Sequence, residues 1–239
     1  MLRPLSIPGL IITGTDTGVG KTLVAGAIAD HFRRSGRPVA VCKPVATGCI
    51  HRRGALVSED AEFLAHCADT RHPLDLICPQ RFEEPLAPAV AAERANQPLD
   101  WAAIDSAIAT LSQDAEAIIV EGVGGILTPM DHRHTFLDVP AWLQVPALIV
   151  ARAGLGTINH TLLTIMALRA KNVPIVGVVI NRYPPETPGV AEETNPSAIE
   201  RWGGVRVLCV VPEFSGPMGS HIPGDVADAI GQMFKGYDL

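Results

Sequence analysis

Cysteine pairs are missing from this chain. Its five cysteines, Cys42, Cys49, Cys67, Cys78 and Cys209, are an odd number, and no two stand two residues apart. That leaves no zinc ribbon and no dithiol redox pair. It predicts the reduced thiols of a cytoplasmic protein. Also missing is an unbroken apolar run of the roughly 18 residues that a membrane helix needs. The opening stretch, MLRPLSIPGLIITG, is short and broken by proline, which predicts no signal peptide. Positive charge is scarce: 19 Lys and Arg face 25 Asp and Glu, a net charge of −6. No general basic field is on offer to nucleic acid, though a local patch stays open. Neither nucleic acid nor a membrane is therefore expected as a partner. Internal repeats and low-complexity tracts are absent too.

What is present is a globular composition. The 239 residues are 47% apolar and 18% charged, enough to bury a real core. That length suits one α/β domain or at most two, and the expectation is one domain over residues 1–239. Short β-branched runs recur: LIIT before Gly14, PVAVCKPV from Pro38, AIIVEGVGG from Ala117, PALIVARAG from Pro146, PIVGVVINR from Pro174 and VRVLCVVPE from Val205. They alternate little, as strands do when both faces are covered. Segments of helical period lie between them, at 21–35, 59–67, 101–113, 157–170 and 195–202, with a last one around 225–234. Residues 182–196 are rich in proline and predict a loop at the sheet's edge. Strand then helix, repeated, predicts an α/β fold: a mostly parallel central sheet with helices on both faces. Ligands of such sheets sit beyond the carboxyl ends of the strands, so the residues after each run should share one site.

The stretch TGTDTGVGKT, residues 13–22, is the strongest local signal. It lies between a strand and a helix and ends in Gly20-Lys21-Thr22, like a phosphate-binding loop of the NTPase type. The helix start offers free N–H groups and the positive end of its dipole to an anion. Gly18 and Gly20 let the backbone curl so that N–H groups point inward. Lys21 reaches the β- and γ-phosphates, and the Thr22 hydroxyl suits Mg²⁺. The usual spacing asks for glycine at position 15, where this chain has Thr15. Partition and cell-division-site ATPases carry an extra lysine at the position of Asp16, and a negative side chain there cannot do the same job.

Other strand ends add candidates. Lys43 and Thr47, in CKPVATG, suit the charge of a transferred phosphoryl group; a solvated surface lysine is the plain alternative. Ser58 caps a helix, and Asp60 in its first turn serves either the dipole or a cation. Glu121, after four apolar residues, needs a cation or donors at a buried strand end; Mg²⁺ beside a triphosphate is one partner, neighbouring N–H groups the other. Gly122, Gly124 and Gly125 let backbone approach a ligand. The GLGTIN turn opens a second helix start suited to a carboxylate, or simply an ordinary capped helix. His160 reads as a first-turn helix residue. The Asn181 amide can donate and accept at an adenine edge, and Pro212 and Glu213 stand to border the base.

Taken in order, TGTDTGVGKT, KPVATG, SEDA, VEGVGG, GLGTINHT and VIN resemble the dethiobiotin synthetase family over nearly the whole chain. In that family threonine stands where Thr15 does. The resemblance implies ATP and Mg²⁺ acting on 7,8-diaminononanoate and CO₂ or bicarbonate, through a carbamate and a carbamic-phosphoric anhydride. It implies ATP contacts from Asp16, Thr17, Gly18, Val19, Gly20, Lys21 and Thr22, and from Asp60, Glu121, Gly122, Val123 and Gly124. Asn181, Arg182, Pro212 and Glu213 complete that set. Thr22, Asp60 and Glu121 are implied as the Mg²⁺ ligands, and Lys21, Lys43, Thr17 and Thr47 as the catalytic groups. Lys43 and Thr47 would also touch the diamine. Leu155, Gly156, Thr157, Ile158 and Asn159, from the second subunit of a homodimer, are implied to hold its carboxylate. Some relatives have polar residues where this chain has Leu86 and Ala87, and some have a tyrosine in the segment that reads AEETNP here. A switch ATPase and the synthetase part of a cobyric-acid-type enzyme share the architecture. The chain's end, about thirty residues after its last strand, predicts no room for the glutaminase domain of the latter.

Overall fold

The six apolar runs become one parallel sheet. The computed structural model describes residues 1–214 and 222–234. In chain order the elements are β1 (Gly9–Gly14), α1 (Lys21–Arg34), β2 (Val39–Cys42), β3 (Val45–Ala46), β4 (Ile50–Arg52), β5 (Ala55–Val57), α2 (Glu59–Cys67), α3 (Leu74–Ile77), β6 (Gln80–Arg81), α4 (Pro88–Arg94), α5 (Trp101–Leu111), β7 (Ala117–Gly125), α6 (Asp138–Leu143), β8 (Ala147–Arg152), α7 (Thr157–Ala170), β9 (Ile175–Tyr183), α8 (Val190–Gly203), β10 (Val207–Pro212) and α9 (Gly224–Phe234). The sheet order is β10-β9-β8-β1-β7-β2, and every pairing in it is parallel. β1 lies in the middle, so Ile11, Ile12, Ile118, Val120, Leu148 and Ile149 are all buried. That explains their unbroken apolar runs.

The chain winds in two directions. From β1 it runs through α1 to β2 at one edge, and from β8 through α7 to β9 on the other side. Parallel crossovers are right-handed, so the two moves put α1 and α7 on opposite faces. α2 and α9 pack beside α1, while α8 packs beside α7. The reversal of direction falls at β1, where a crevice opens at the carboxyl ends of the strands.

Two expected boundaries shift. The run from Pro38 is not one strand: β2 stops at Cys42, and β3 pairs instead with β6. Pro44 cannot donate to a ladder, and the Lys43 N–H turns to the Ile77 carbonyl at 2.8 Å. The strand thus ends where Lys43 must face the crevice. The proline-rich loop is also shorter than expected, because α8 starts at Val190 and contains Pro196. Its start is signalled by Glu192, whose carboxylate accepts from the Gly189 N–H at 3.0 Å, half of a capping box. The helices α3, α4 and α6 and the hairpin β4–β5 were not expected. They are short, and short elements carry little period.

Asp131 ties the connection after β7 to α5. Its carboxylate accepts from Trp101 Nε1 at 2.6 Å, from the N–H groups of Arg133 and His134 at 2.8 Å each, and meets His134 Nδ1 at 2.9 Å. Burial opposes its charge, but these donors outweigh it and hold its carboxyl well below the usual range. The stabilisation is therefore present above the ordinary aspartate range and is lost as pH falls through the lowered value. Asp131→Ala is expected to lower stability by about 2–4 kcal/mol, since several donors lose their acceptor together. Urea unfolding at neutral pH checks this; a loss below about 0.5 kcal/mol would show that the hub is dispensable.

Candidate active site

The phosphate loop sits between β1 and α1. Its left-handed positions are Gly18 (φ 72°) and Gly20 (φ 94°); neither Thr15 nor Asp16 is left-handed. That accounts for threonine at position 15: the backbone there needs no glycine, and its N–H extends the β1–β8 ladder to the Val150 carbonyl at 3.0 Å. α1 starts without a side-chain cap, so its first N–H groups face the loop. Lys21 Nζ donates to the carbonyls of Asp16 at 3.0 Å and Gly124 at 2.7 Å. The ammonium thus spans the loop from one wall to the other.

Behind the loop, β7, the end of β2 and the first turns of α1 and α2 converge on one largely buried cluster. Glu121 Oε1 accepts from Lys43 Nζ and from Thr22 Oγ1, both at 2.7 Å. Lys43 Nζ also lies 2.6 Å from Asp60 Oδ2. The Lys43 side chain is 5% exposed and that of Glu121 fully buried, so Lys43 is no solvated surface lysine. Ser58 does cap α2, accepting from the Ala61 N–H at 3.2 Å. Asp60 stands in the first turn and turns its carboxylate to Lys43. Glu121 Oε2 is buried without a hydrogen-bond partner.

A cavity of about 320 Å³ gathers most of the predicted residues: Thr17, Gly18, Gly20, Lys21, Thr22, Lys43, Thr47, Asp60, Glu121, Val123, Gly124 and Arg182. Leu23 joins them, which no motif flagged. A larger cavity, about 530 Å³ between α4 and residues 130–133, holds none of them. Its lining carries Glu93, Asp131, His132 and Arg133 but no lysine and no residue of the phosphate loop.

Burial and charge act on these groups in opposite senses. Burial is the largest influence on Lys21 and, with the Lys43 charge, pulls it down to about 8 against Glu121 and Asp60. Burial would lower Lys43 as well, but Glu121 and Asp60 together hold it above its ordinary value. Burial raises Glu121 despite Lys43. Asp60 resists the same effect and stays below its ordinary value, because Lys43 bonds it directly. A bound phosphate favours the charged form of Lys21. Nucleotide affinity is therefore expected to fall as pH rises through about 8. Near that pH, binding should take up roughly half a proton. Calorimetry in two buffers of different ionisation heat reads that uptake; a value of zero would contradict the assignment.

Asp16, Val19, Gly122, Asn181, Pro212, Glu213 and residues 155–159 lie outside the lining of the loop cavity. Asn181, 2% exposed, uses its Nδ2 on the Val19 carbonyl at 2.9 Å, leaving Oδ1 buried and unpartnered. The amide thus braces the phosphate loop, a contact between distant segments that no local pattern signals. Arg182 follows in a left-handed conformation (φ 60°). Next to it, Pro212 pairs with Tyr183, and the Glu213 N–H donates to the Tyr183 carbonyl at 2.7 Å. Gly122 has a packing reason: a Cβ there would lie 2.5 Å from the Phe136 ring. Leu155 and Gly156 form the turn into α7, Thr157, Ile158 and Asn159 its first turn, and none of the five lines the loop cavity. Gly156 is left-handed (φ 91°), and Leu155 is 86% exposed.

A family model described as an AAA domain matches residues 8–216. The cell-division protein MinD of Aquifex aeolicus superposes with a TM-score of 0.58, covering 97% of this chain and 98% of that one, at 16% identity. That likeness is one of fold alone. The ATP-dependent dethiobiotin synthetase BioD of Anaeromyxobacter dehalogenans strain 2CP-C is 45% identical over 178 residues, 74% of this chain and 78% of its own. The enzyme of the same name from Thermodesulfovibrio yellowstonii is 37% identical over 211 residues, 85% of this chain and 88% of its own. Identity at that level over most of both chains carries the resemblance of the motifs through to descent, and the chain belongs to the family of ATP-dependent dethiobiotin synthetases.

Proposed function

We propose that this protein closes a cyclic urea on 7,8-diaminononanoate, using ATP and CO₂, to give dethiobiotin, ADP and phosphate. The observation that carries this reading is Lys43, buried between two carboxylates behind a phosphate loop. One amine adds to CO₂ and loses a proton, giving a carbamate. A carbamate oxygen attacks the γ-phosphorus, the bond to the β–γ bridging oxygen breaks, and ADP leaves. The second amine attacks the carbon of the mixed anhydride, loses its proton, and expels phosphate as the ring closes. Both reacting groups of the phosphoryl transfer are anions, so cations must screen their approach. Lys21 covers the terminal phosphates and Lys43 the carbamate. The hydroxyls of Thr17 and Thr47 donate to the phosphoryl and carbamate oxygens.

Thr22, Asp60 and Glu121 would hold Mg²⁺. The set is all oxygen, as a hard cation requires, and the buried, unpartnered Oε2 of Glu121 fits that role. When bound, Mg²⁺ supplies charge neutralisation on the β- and γ-phosphates.

The same reading assigns the substrate carboxylate to the turn at residues 155–159, offered by the second protomer of a homodimer. α7 supports it: three threonines are buried beside Ile165 and Leu168, while apolar side chains just before the helix and on its outer face stay exposed. Thr157, Thr161 and Thr164 face inward, while Leu155, Leu163 and Met166 are 86%, 56% and 66% exposed. An apolar face of this kind suits a second copy of the chain. We further take residues 1–239 as one synthetase domain working in the cytoplasm. All five cysteines are free, and no helix of the described residues is long and apolar enough to cross a membrane.

The test is phosphate release from Mg·ATP with and without 7,8-diaminononanoate and bicarbonate. Release that needs both, with a cyclic urea in the mass spectrum, is the expected result. Release indifferent to the diamine would sink the reading and favour a switch ATPase.

A further inference from the structure

We propose that Asn195 is a positioning residue for the substrate carboxylate, acting through the turn that precedes α7. The proposal rests on the reading above, in which that turn holds the carboxylate. Asn195 lies in α8 and is 3% exposed. Its Nδ2 donates to the carbonyl of Ala153 at 2.7 Å and lies 3.3 Å from that of Gly154. β8 ends at Arg152, and its ladder with β9 stops there, at the pair Arg152–Asn181. The two carbonyls therefore fall just past the last ladder bond. Ala153 is 1% exposed, and a buried carbonyl needs a donor.

The consequence follows from peptide geometry. Each peptide is planar and trans, so its N–H points opposite to its C=O. Drawing the carbonyls of Ala153 and Gly154 toward α8 aims the N–H groups of Gly154 and Leu155 away from α8. Gly156, left-handed at φ 91°, then delivers the chain into α7, which has no side-chain cap and no acidic residue in its first turn. The Gly154 carbonyl also accepts from the Thr157 N–H at 3.3 Å, so the amide on the neighbouring helix and the first turn of α7 together fix that peptide, and the amide alone holds the Ala153 carbonyl. Glu192, three residues earlier on the same helix, also reaches the turn: a Cβ at Gly154 would lie 3.4 Å from its Oε1. Its Oε2 is fixed by the Gly189 N–H. An amide suits position 195 because one nitrogen carries two hydrogens and serves two carbonyls. Leucine has nearly the same shape and donates nothing.

The experiment compares Asn195→Leu with the wild-type dimer or monomer as isolated. It uses 7,8-diaminononanoate and the neutral analogue in which the carboxylate is a primary amide. We expect KM for the acid to rise about tenfold or more, as expected for misaligned charge-assisted hydrogen bonds, with kcat and KM for ATP within about twofold. KM for the amide should stay level. A merely structural loss would move both substrates and ATP together, and that outcome overturns the proposal, as does an unchanged KM for the acid. Should Asn195→Leu fail to fold, Asn195→Ser keeps a smaller donor, and an acid-selective rise of about threefold is expected; none overturns the proposal. Gly156→Ala is the control on the underlying reading, because it strains the turn directly. If it leaves the preference for acid over amide intact, the turn does not hold the carboxylate. If it removes that preference while Asn195→Leu does not, the role of Asn195 alone is wrong.

Discussion

Replacing Lys43 with alanine is expected to lower kcat by about 10³-fold, with KM for ATP little changed. Removing one preorganised charge or donor from a developing phosphoryl anion has an effect on that order. The same change should also weaken the fold, because the fully buried Glu121 is then left beside the part-exposed Asp60 without their shared cation. Breaking a buried pair from one side costs about 3–5 kcal/mol. Part of that is avoided when Glu121 takes up a proton, since burial already raises it above 4.5. In the variant the folded state holds that proton while the unfolded state has lost it. Its stability is therefore expected to fall with rising pH above the ordinary glutamate value, more steeply than in the wild type. Thermal melts across pH check the slope. Lys43→Ala with Glu121→Gln should regain stability and no turnover. If Lys43→Ala keeps wild-type kcat, the catalytic role is wrong; if the double variant regains activity, the loss was one of folding.

A second large effect is expected at Gly20, where alanine should weaken ATP binding by about 100-fold or more. Two penalties add. The backbone is left-handed at φ 94°, which costs a residue with a Cβ about 1–2 kcal/mol. The Cβ would also lie 1.9 Å from Asn181 Nδ2, so the brace on the Val19 carbonyl must break or the loop must move. Combining Gly20→Ala with Asn181→Ala removes the clash and leaves the strain, so it should recover only part of the affinity. Equilibrium binding of Mg·ATP to the wild type and the two variants separates the terms. Full recovery in the double variant would show that the left-handed backbone matters little. Unchanged binding in Gly20→Ala would mean that the loop does not grip the phosphates through this turn.

Much of the architecture was legible before any coordinates. The strands over 117–125 and the helices over 59–67 and 157–170 stand where the pattern put them, because long apolar or periodic runs have few alternatives. The phosphate loop was equally plain, since glycine, lysine and threonine at fixed spacing between a strand and a helix leave little else to do. The role of Asn195 was not legible. It lies where the expected loop, 182–196, overlaps the expected helix from 195, and its partners, Ala153 and Gly154, are 42 and 41 residues away. A hydrogen bond between distant segments leaves no period and no spacing behind. The brace from Asn181 to Val19, across 162 residues, was hidden for the same reason.

Lys43, Asp60 and Glu121 mark the boundary between the two kinds of information. Residue type and position, at a strand end for Lys43 and Glu121 and in a capped first helical turn for Asp60, were enough to nominate all three, and enough to name their family once the motifs were taken in order. They left open whether Lys43 was a solvated surface side chain, whether Asp60 served only its helix dipole, and what paired with Glu121. Those questions turn on burial and on separations of under 3 Å. Such separations arise only when β2, α2 and β7 meet at one crevice. Local chemistry selects the elements and the residue types at their ends. Packing brings those ends together and takes them out of water, and with the water goes the screening that would leave the charges weak.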